Sequence, residues 1–155
     1  MRRRRAEVRK VTADAQYSSE IINKFINLVM IKGKKTTAQR IVYDALQILK
    51  EKAGKEPVSV FYQALENARP KLEVHSRRIG GATYQVPVEV TKERGVSIAL
   101  RWIRDYARGK KGKTMASRLA DEVFSCYKQE GSVIKKRDDT HKMAEANKAF
   151  AHFKW

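Results

Sequence analysis

Apolar residues recur every three or four positions over much of the first half of the chain, a spacing typical of amphipathic helices. Three such stretches follow one another, at about residues 18–33, 36–54 and 57–70. Thr36, with Gln39 three residues later, suits a capping box, in which two side chains close the N-terminus of a helix. The pattern therefore predicts three consecutive helices, with the first two antiparallel.

Over residues 71–90 the apolar spacing changes to alternation, which predicts two β-strands that form a hairpin. Gly80 and Gly81 lie between the strands, and Arg77 and Arg78 precede them closely. The tip has too little apolar surface to pack on a core. We expect it to project into solvent or into a binding partner.

The turn of this hairpin sets which residues face each other across the two strands. A turn formed by the two glycines alone would place Val74 opposite Pro87, and the apolar faces of the strands would not match. A three-residue loop of residues 79–81 would instead pair Val74 with Val86. We therefore expect the longer loop.

Helical spacing returns after the hairpin in three further stretches, at about residues 98–109, 114–131 and 132–150. The sequence thus predicts a mostly α fold, with about six helices in a single bundle-like domain and one protruding β-hairpin.

The domain boundaries follow from composition. Residues 1–16 are basic and almost without apolar side chains, so we expect a basic N-terminal arm that nothing anchors to a core. Residues 17–150 form the predicted helical domain, with the hairpin at 71–90. Residues 151–155 form a C-terminal tail.

The net charge narrows the possible partners. The chain has 34 Lys and Arg against 17 Asp and Glu, a formal net charge of +17 at pH 7. Such an excess repels itself in a compact state and indicates a polyanionic partner, either nucleic acid or an anionic membrane. No stretch approaches the roughly 18 apolar residues of a membrane-spanning helix, and no apolar run follows the basic first residues as in a signal peptide. Nucleic acid is therefore the favoured partner, with no membrane and no small-molecule substrate.

The basic residues are concentrated in the arm and in the connections between the predicted helices, with few acids nearby. This distribution is typical of contacts with RNA phosphates, and arginine also suits stacking on bases. The expected RNA-binding residues are Arg2, Arg3, Arg4, Arg5, Arg9, Lys10, Lys32, Lys34, Lys35, Lys110, Lys111, Lys113, Lys135, Lys136 and Arg137.

One segment imitates a phosphate-binding loop. Residues 107–114 read Ala-Arg-Gly-Lys-Lys-Gly-Lys-Thr and end like such a loop. The phosphate-binding loop follows a buried strand, whereas an amphipathic helix precedes this segment, so we expect a basic loop between helices. A nucleotide-dependent RNA-modifying enzyme that uses Lys113 is one alternative, and a protein that shapes duplex DNA is another.

Metal and thiol chemistry find little support in the sequence. The three histidines are scattered, and with the single Cys126 they lack the spacing of a tetrahedral zinc site. That cysteine shares a helical face with Leu119 and Val123, so we expect a buried, inert thiol. We expect no cofactor.

A further set of short motifs, spread over nearly the whole chain, resembles a known family. The motifs are Gly33-Lys34-Lys35 followed by Ile41-Val42 and Ala45, Glu66-Asn67-Ala68-Arg69-Pro70, Ser76-Arg77-Arg78-Ile79-Gly80-Gly81, Tyr84-Gln85-Val86-Pro87-Val88-Glu89-Val90, Arg101-Trp102, and residues 143–152. Together they resemble the family of bacterial small-subunit ribosomal protein seven. Ile79 departs from that family's pattern, in which valine is common at this position.

This resemblance implies a structural protein and not an enzyme: a primary binder of small-subunit rRNA that nucleates assembly of the head of the small ribosomal subunit. It implies a position near the exit-site tRNA and the mRNA, with small-subunit ribosomal proteins nine and eleven as neighbours, in the cytoplasm. The arm Arg2–Arg5, with Lys34 and Lys35, would bind rRNA. The hairpin residues that would lie near tRNA and mRNA are Arg77, Arg78, Gly80, Gly81 and Tyr84.

Overall fold

The structure is a computed structural model that describes Ala6 and residues 11–153. Its elements, in chain order, are α1 (Glu20–Val29), α2 (Lys35–Ala53), α3 (Pro57–Ala68), β1 (Leu72–Ile79), β2 (Ala82–Glu89), α4 (Lys92–Gly109), α5 (Met115–Tyr127), α6 (Gly131–Ala146) and a C-terminal 3-10 helix (Lys148–Phe153). The two strands form one antiparallel hairpin. The prediction of a mostly helical fold with a single hairpin is confirmed.

The helix starts follow local side-chain chemistry at three places. The side chains of Ser19, Glu56 and Thr114 each accept a hydrogen bond from a backbone N–H in the first turn of α1, α3 and α5. α2 is different: it begins at Lys35, and its N-cap residue Lys34 makes no capping hydrogen bond through its side chain. The capping box predicted at Thr36 is therefore wrong, because the helix has already begun at that residue.

α5 lies at the centre of the domain, in contact with α2, α3, α4 and α6. Its buried face contains Leu119, Val123 and Cys126, none more than 4% exposed. Phe25 and Phe61 join the same core, with ring centroids 5.5 Å apart. Large aromatic and aliphatic side chains packed in this way contribute most of the stability of such a domain. The core also fixes where the connections between helices emerge.

The hairpin turn is shorter than predicted. Gly80 and Gly81 form the turn with φ of 55° and 90°, so Ile79 faces Ala82 and Val74 faces Pro87. The prediction of a three-residue loop is wrong. Two successive glycines adopt positive φ without steric cost, and the two-residue turn that they form fits the twist of the strands best.

Apolar residues of the two strands consequently fall on opposite faces of the hairpin, with Val74 on one face and Val86 on the other. The fold tolerates this arrangement because α6 packs against β1 and the C-terminal 3-10 helix packs against β2. Val86 is fully buried. Matching apolar faces within the hairpin were therefore not required.

The C-terminal segment contributes to this packing. The helix predicted to reach residue 150 ends at Ala146, and a 3-10 helix follows. The ring of Tyr84 lies 5.3 Å from that of Phe150 and 5.4 Å from that of Phe153. Part of the predicted tail thus covers the hairpin.

The described part of the predicted arm is also attached to the domain. Asp14 is only 4% exposed, and the Asn23 side chain donates to the carbonyl oxygen of Thr12 over 2.7 Å. These contacts are polar, so the apolar pattern of the sequence does not indicate them. Residues 1–5 and 7–10, including Arg2, Arg3, Arg4, Arg5, Arg9 and Lys10, lie outside the described residues.

Candidate nucleic-acid interface

The α1–α2 connection, residues 30–34, and the first residue of α2 contain three of the predicted RNA-binding lysines. Lys32, Lys34 and Lys35 are exposed, and within residues 11–153 none of their side chains has a hydrogen-bond or ion-pair partner. Lys32 and Gly33 take φ of 52° and 74°, and the N–H of Lys34 closes the turn on the carbonyl of Ile31 at 3.1 Å. This tight turn brings three exposed lysines within four positions of the chain, at the start of α2.

The same connection ends at the N-terminus of a 19-residue helix, α2. Helix N-termini carry partial positive charge and exposed N–H groups that favour anions. The first turn of α2 contains no acidic residue, and no side chain caps it. The helix end and the lysines therefore give one region of positive potential that suits a phosphate.

The α4–α5 connection, residues 110–114, has a similar sequence but different partners. Lys110 forms a salt bridge with Glu122, and Lys113 forms one with Asp121 at 3.0 Å. Lys111 is exposed and has no partner in the described part of the chain. Two of the three predicted RNA-binding lysines in this loop are thus engaged with carboxylates of α5.

These ion pairs fix the loop onto the domain. Glu122 is 1% exposed, so its carboxylate depends on Lys110 for charge compensation. Burial raises the pKa of Asp121, but hydrogen bonds from Lys52 and Lys113 outweigh it and hold that pKa below its ordinary value. Both carboxylates come from α5, which explains why the loop sequence itself looked free of acids.

The loop is preceded by α4, as predicted, and followed by α5, whose first turn is capped by Thr114. The guanidinium of Arg108 donates to the carbonyl oxygen of Val29 over 3.1 Å. This bond joins the end of α4 to the end of α1. The α1–α2 and α4–α5 connections therefore leave the domain at neighbouring places, and Lys111 belongs to the same end as Lys32 and Lys34.

The third predicted cluster is divided. Lys135 and Lys136 are exposed on α6, whereas Arg137 is half-buried and donates to Asp138 and to the carbonyl oxygen of Asn67. Asn67 in turn binds two carbonyl groups at the end of α5. Arg137 therefore links α6 to α3, and only the two lysines are available to a partner.

A groove of about 360 Å³ between α1 and α4 contains two cations that the sequence did not suggest as a pair. Lys24 and Arg101 line it, with Asn27 and Ser97. Arg101 donates through Nε to the carbonyl oxygen of Ser97 over 3.1 Å, which holds its guanidinium at the groove. The two residues are far apart in sequence, so only the packing of α1 on α4 brings them together.

The predicted hairpin residues also separate. Gly80, Gly81 and Arg78 are exposed at the tip, and Arg77 is half-buried. Tyr84 is not exposed at the tip, because it packs on the C-terminal 3-10 helix. At the base, Arg94 of α4 binds the carboxylate of Glu73 with two hydrogen bonds, of 2.6 and 3.1 Å. The base is thus attached to the domain and the tip extends from it.

Other chemistry is not supported by residues 11–153. They contain no group of three or more His, Cys, Asp or Glu residues placed to hold a metal ion. Cys126 is fully buried, and burial together with Glu122 raises its pKa to about 12. In the same range no helix is long and apolar enough to span a bilayer.

Comparisons with known proteins agree with this picture. The family described as ribosomal protein S7p/S5e matches residues 1–148. Proteins called small ribosomal subunit protein uS7 from Thermotoga petrophila, Thermotoga maritima and Mesoplasma florum are 56%, 55% and 54% identical to the chain, over 100% of both chains in each case. The chain therefore belongs to the ribosomal protein S7p/S5e family, and is a non-enzymatic, RNA-binding component of the small ribosomal subunit that acts in translation in the cytoplasm.

Proposed function

We propose that this protein is a primary binder of small-subunit rRNA that nucleates assembly of the head of the small subunit. In this proposal it lies near the exit-site tRNA and the mRNA, beside small-subunit ribosomal proteins nine and eleven. The observation that carries the rRNA contact is at the start of α2, where Lys32, Lys34 and Lys35 are exposed and the first turn of the helix has no side-chain cap and no acidic residue.

The type of RNA contact follows from the side chains. Lysine ammonium groups and a helix N-terminus bind phosphate oxygens, which position a protein on RNA but do not read its sequence. The groove between α1 and α4, with Lys24 and Arg101, adds two cations to the same kind of surface. Recognition of rRNA therefore depends on the shape of its folded backbone more than on base identity.

The remaining predicted RNA-binding residues differ in how much they contribute to RNA affinity. Lys111 extends the main surface, because its loop emerges beside the α1–α2 connection. Lys135 and Lys136 on α6 and the arm residues Arg2–Arg5 supply further phosphate contacts. Lys110, Lys113 and Arg137 act mainly within the protein, since each already binds a carboxylate of the domain.

The hairpin tip supports a separate role near tRNA and mRNA. Its base is attached to α4 and α6, while Arg78 and the two glycines extend beyond that attachment. Small subunits that carry Arg77→Ala with Arg78→Ala should contain the protein at normal occupancy but release exit-site tRNA at a different rate. Loss of occupancy would show that the tip is an assembly contact, and normal occupancy with normal tRNA release would refute a role at the exit site.

The experiment for the main proposal is a titration of small-subunit rRNA with the full chain at several salt concentrations. With some six to ten phosphate contacts, affinity should fall by about three to five orders of magnitude between roughly 50 and 200 mM salt. Duplex DNA of equal charge should compete poorly. A flat salt response would refute the electrostatic contact, and equal affinity for duplex DNA would indicate an architectural DNA-binding protein.

A further inference from the structure

The segment that joins the basic arm to α1 is held by a buried carboxylate. Asp14 is 4% exposed and accepts hydrogen bonds from the backbone N–H groups of Gln16 and Tyr17, both at 3.1 Å. Its second oxygen accepts from the hydroxyl of Tyr43 on α2, at 2.7 Å. Burial and this hydrogen bond raise the pKa of Tyr43 to about 12, so the phenol remains a donor.

Two further polar contacts hold the same segment to other helices. Asn23 of α1 is 5% exposed, and its side-chain amide donates to the carbonyl oxygen of Thr12 at 2.7 Å. The hydroxyl of Ser19 lies 2.6 Å from that of Tyr62 on α3. We call these three contacts, Asp14–Tyr43, Asn23–Thr12 and Ser19–Tyr62, the polar latch.

The latch is unusual for this chain in being polar and buried. The buried polar or charged residues among the described positions are Asp14, Ser19, Asn23, Glu122 and Thr140, and the latch holds three of these five. Burying polar groups is costly unless every group finds a partner, whereas hydrogen bonds impose directions that apolar packing does not. A latch of this kind fixes one conformation of the segment, and Ser18 is held within it at a φ of 48°.

The latch determines where the basic arm starts. Lys10 is joined directly to Val11, so the arm leaves the domain at the first residues of the latched segment and not at the start of α1. Without the latch, about nine more residues would become a free linker, with a root-mean-square span of about 15–18 Å. The effective concentration of a tethered binding group falls as its linker lengthens.

From this arrangement we propose that Asp14 is a positioning residue for RNA binding: through the latch it directs the cations of residues 2–10 to the rRNA already held by the body of the protein. This inference rests on the rRNA contact proposed above. Asp14 itself is buried and carries a negative charge, so it does not touch the RNA.

The sign of one substitution separates this role from simple electrostatics. Asp14→Ala removes a negative charge, which by charge alone should tighten binding to RNA. The latch predicts the opposite: rRNA affinity should fall about three- to tenfold, because the arm loses its fixed origin. Asp44→Ala is the matched control, since Asp44 is an exposed acid of α2 close to Tyr43, and it should leave affinity unchanged or slightly higher.

The effect should also depend on the arm. In the full chain with all six arm cations changed to Gln, at Arg2, Arg3, Arg4, Arg5, Arg9 and Lys10, Asp14→Ala should no longer weaken binding, because no cation of the arm is left to position. Equal weakening in both backgrounds would overturn the proposal, as would tighter binding by Asp14→Ala in the native background.

Hydrogen exchange tests the latch without RNA. The amides of Gln16 and Tyr17 should exchange faster in Asp14→Ala, and more modestly in Tyr43→Phe, which removes one hydroxyl and leaves the core intact. If Asp14→Ala does not fold, Tyr43→Phe alone should lower rRNA affinity by about twofold. Unchanged exchange in both variants would refute the latch. Failure of the native chain to bind rRNA, with the exchange result as expected, would refute the proposed rRNA contact and with it the role of Asp14.

Discussion

The α1–α2 and α4–α5 connections are both short, basic and glycine-containing, yet their lysines have different surroundings. In the first, the side chains of Lys32, Lys34 and Lys35 have no partner among residues 11–153. In the second, Lys110 and Lys113 bind Glu122 and Asp121 of α5. A carboxylate from a neighbouring helix thus decides whether a basic loop is available to a polyanion or is part of the protein's own framework.

The physical reason lies in what each contact costs. A lysine with no protein partner releases counterions when it binds a phosphate, which contributes to affinity. A lysine that already compensates a buried carboxylate must leave it before it can bind RNA, and the carboxylate would then lack a partner. We therefore expect the first connection to control RNA affinity and the second to control stability.

The largest expected effect is on RNA binding at the α1–α2 connection. Changing Lys32, Lys34 and Lys35 together to Gln should lower rRNA affinity by about tenfold to hundredfold and lower the salt slope by about three. Exposed surface changes of this kind shift the free energy of unfolding by no more than about 0.5 kcal/mol each. Filter binding at several salt concentrations measures the first effect and urea unfolding the second.

The control for that experiment changes Lys50, Lys92 and Lys142 to Gln, which removes the same charge from exposed sites elsewhere. It should weaken rRNA binding much less. If the two triple variants lose affinity equally, only net charge matters and the α1–α2 connection has no special role.

Two adjacent residues sharpen the comparison within the second connection. Lys110→Met leaves the carboxylate of Glu122 buried without its partner, and should lower the free energy of unfolding by about 1–2 kcal/mol. This is less than for a fully buried pair, because Lys110 is 44% exposed. Lys111→Met, an identical change one residue later, should alter stability by less than about 0.5 kcal/mol. Equal destabilisation of the two variants in urea would contradict the assignment.

Low pH should weaken the ion pairs that hold the second connection, whereas the first connection has no such side-chain pairs among residues 11–153. The pKa of Asp121 lies below its ordinary value of 3.8 in the folded chain, so its stabilising contribution is present above that value. It is lost as the pH falls through the lower, folded pKa. Wild type should exceed Asp121→Asn in the free energy of unfolding by about 0.5–1 kcal/mol near neutral pH, and this difference should shrink below about pH 3.5. A difference that stays constant with pH would show that the ion pairs are not its cause.

The last of these expected effects, of a size similar to that at Asp121, concerns the turn of the first connection. Lys32 has a φ of 52°, a region that disfavours residues with a Cβ, so Lys32→Gly should stabilise the fold by up to about 1 kcal/mol. The same change should weaken rRNA binding, because it removes one cation. Thermal unfolding and rRNA titration of this variant should therefore move in opposite directions, and parallel changes would argue against a strained binding turn.

The sequence allowed prediction of what depends on neighbours along the chain. The helices, the hairpin and the exposed lysines at 32–35 follow from local spacing and composition. The partners of Lys110 and Arg137 did not, because Glu122 lies in the next helix and Asn67 is 70 positions from Arg137. No local pattern distinguishes a lysine that will meet such a partner from one that will not.

Two other errors have the same origin in contacts between distant segments. The hairpin register could not be judged from the strands alone, because α6 packs against β1 and the C-terminal 3-10 helix packs against β2. The attachment of residues 11–16 was missed because Asp14 and Asn23 are buried through hydrogen bonds. Apolar periodicity is a guide to apolar burial only.

The most direct test of the comparison is the salt dependence of rRNA binding by the neighbouring variants Lys110→Met and Lys111→Met, measured beside wild type. A lysine that contacts a phosphate lowers the slope of log affinity against log salt by about one when it is removed. Because Lys111 has no carboxylate partner among residues 11–153 and Lys110 binds Glu122, we expect this decrease for Lys111→Met and an unchanged slope for Lys110→Met. Equal decreases would show that the carboxylate of Glu122 does not withhold Lys110 from RNA, and would contradict the account.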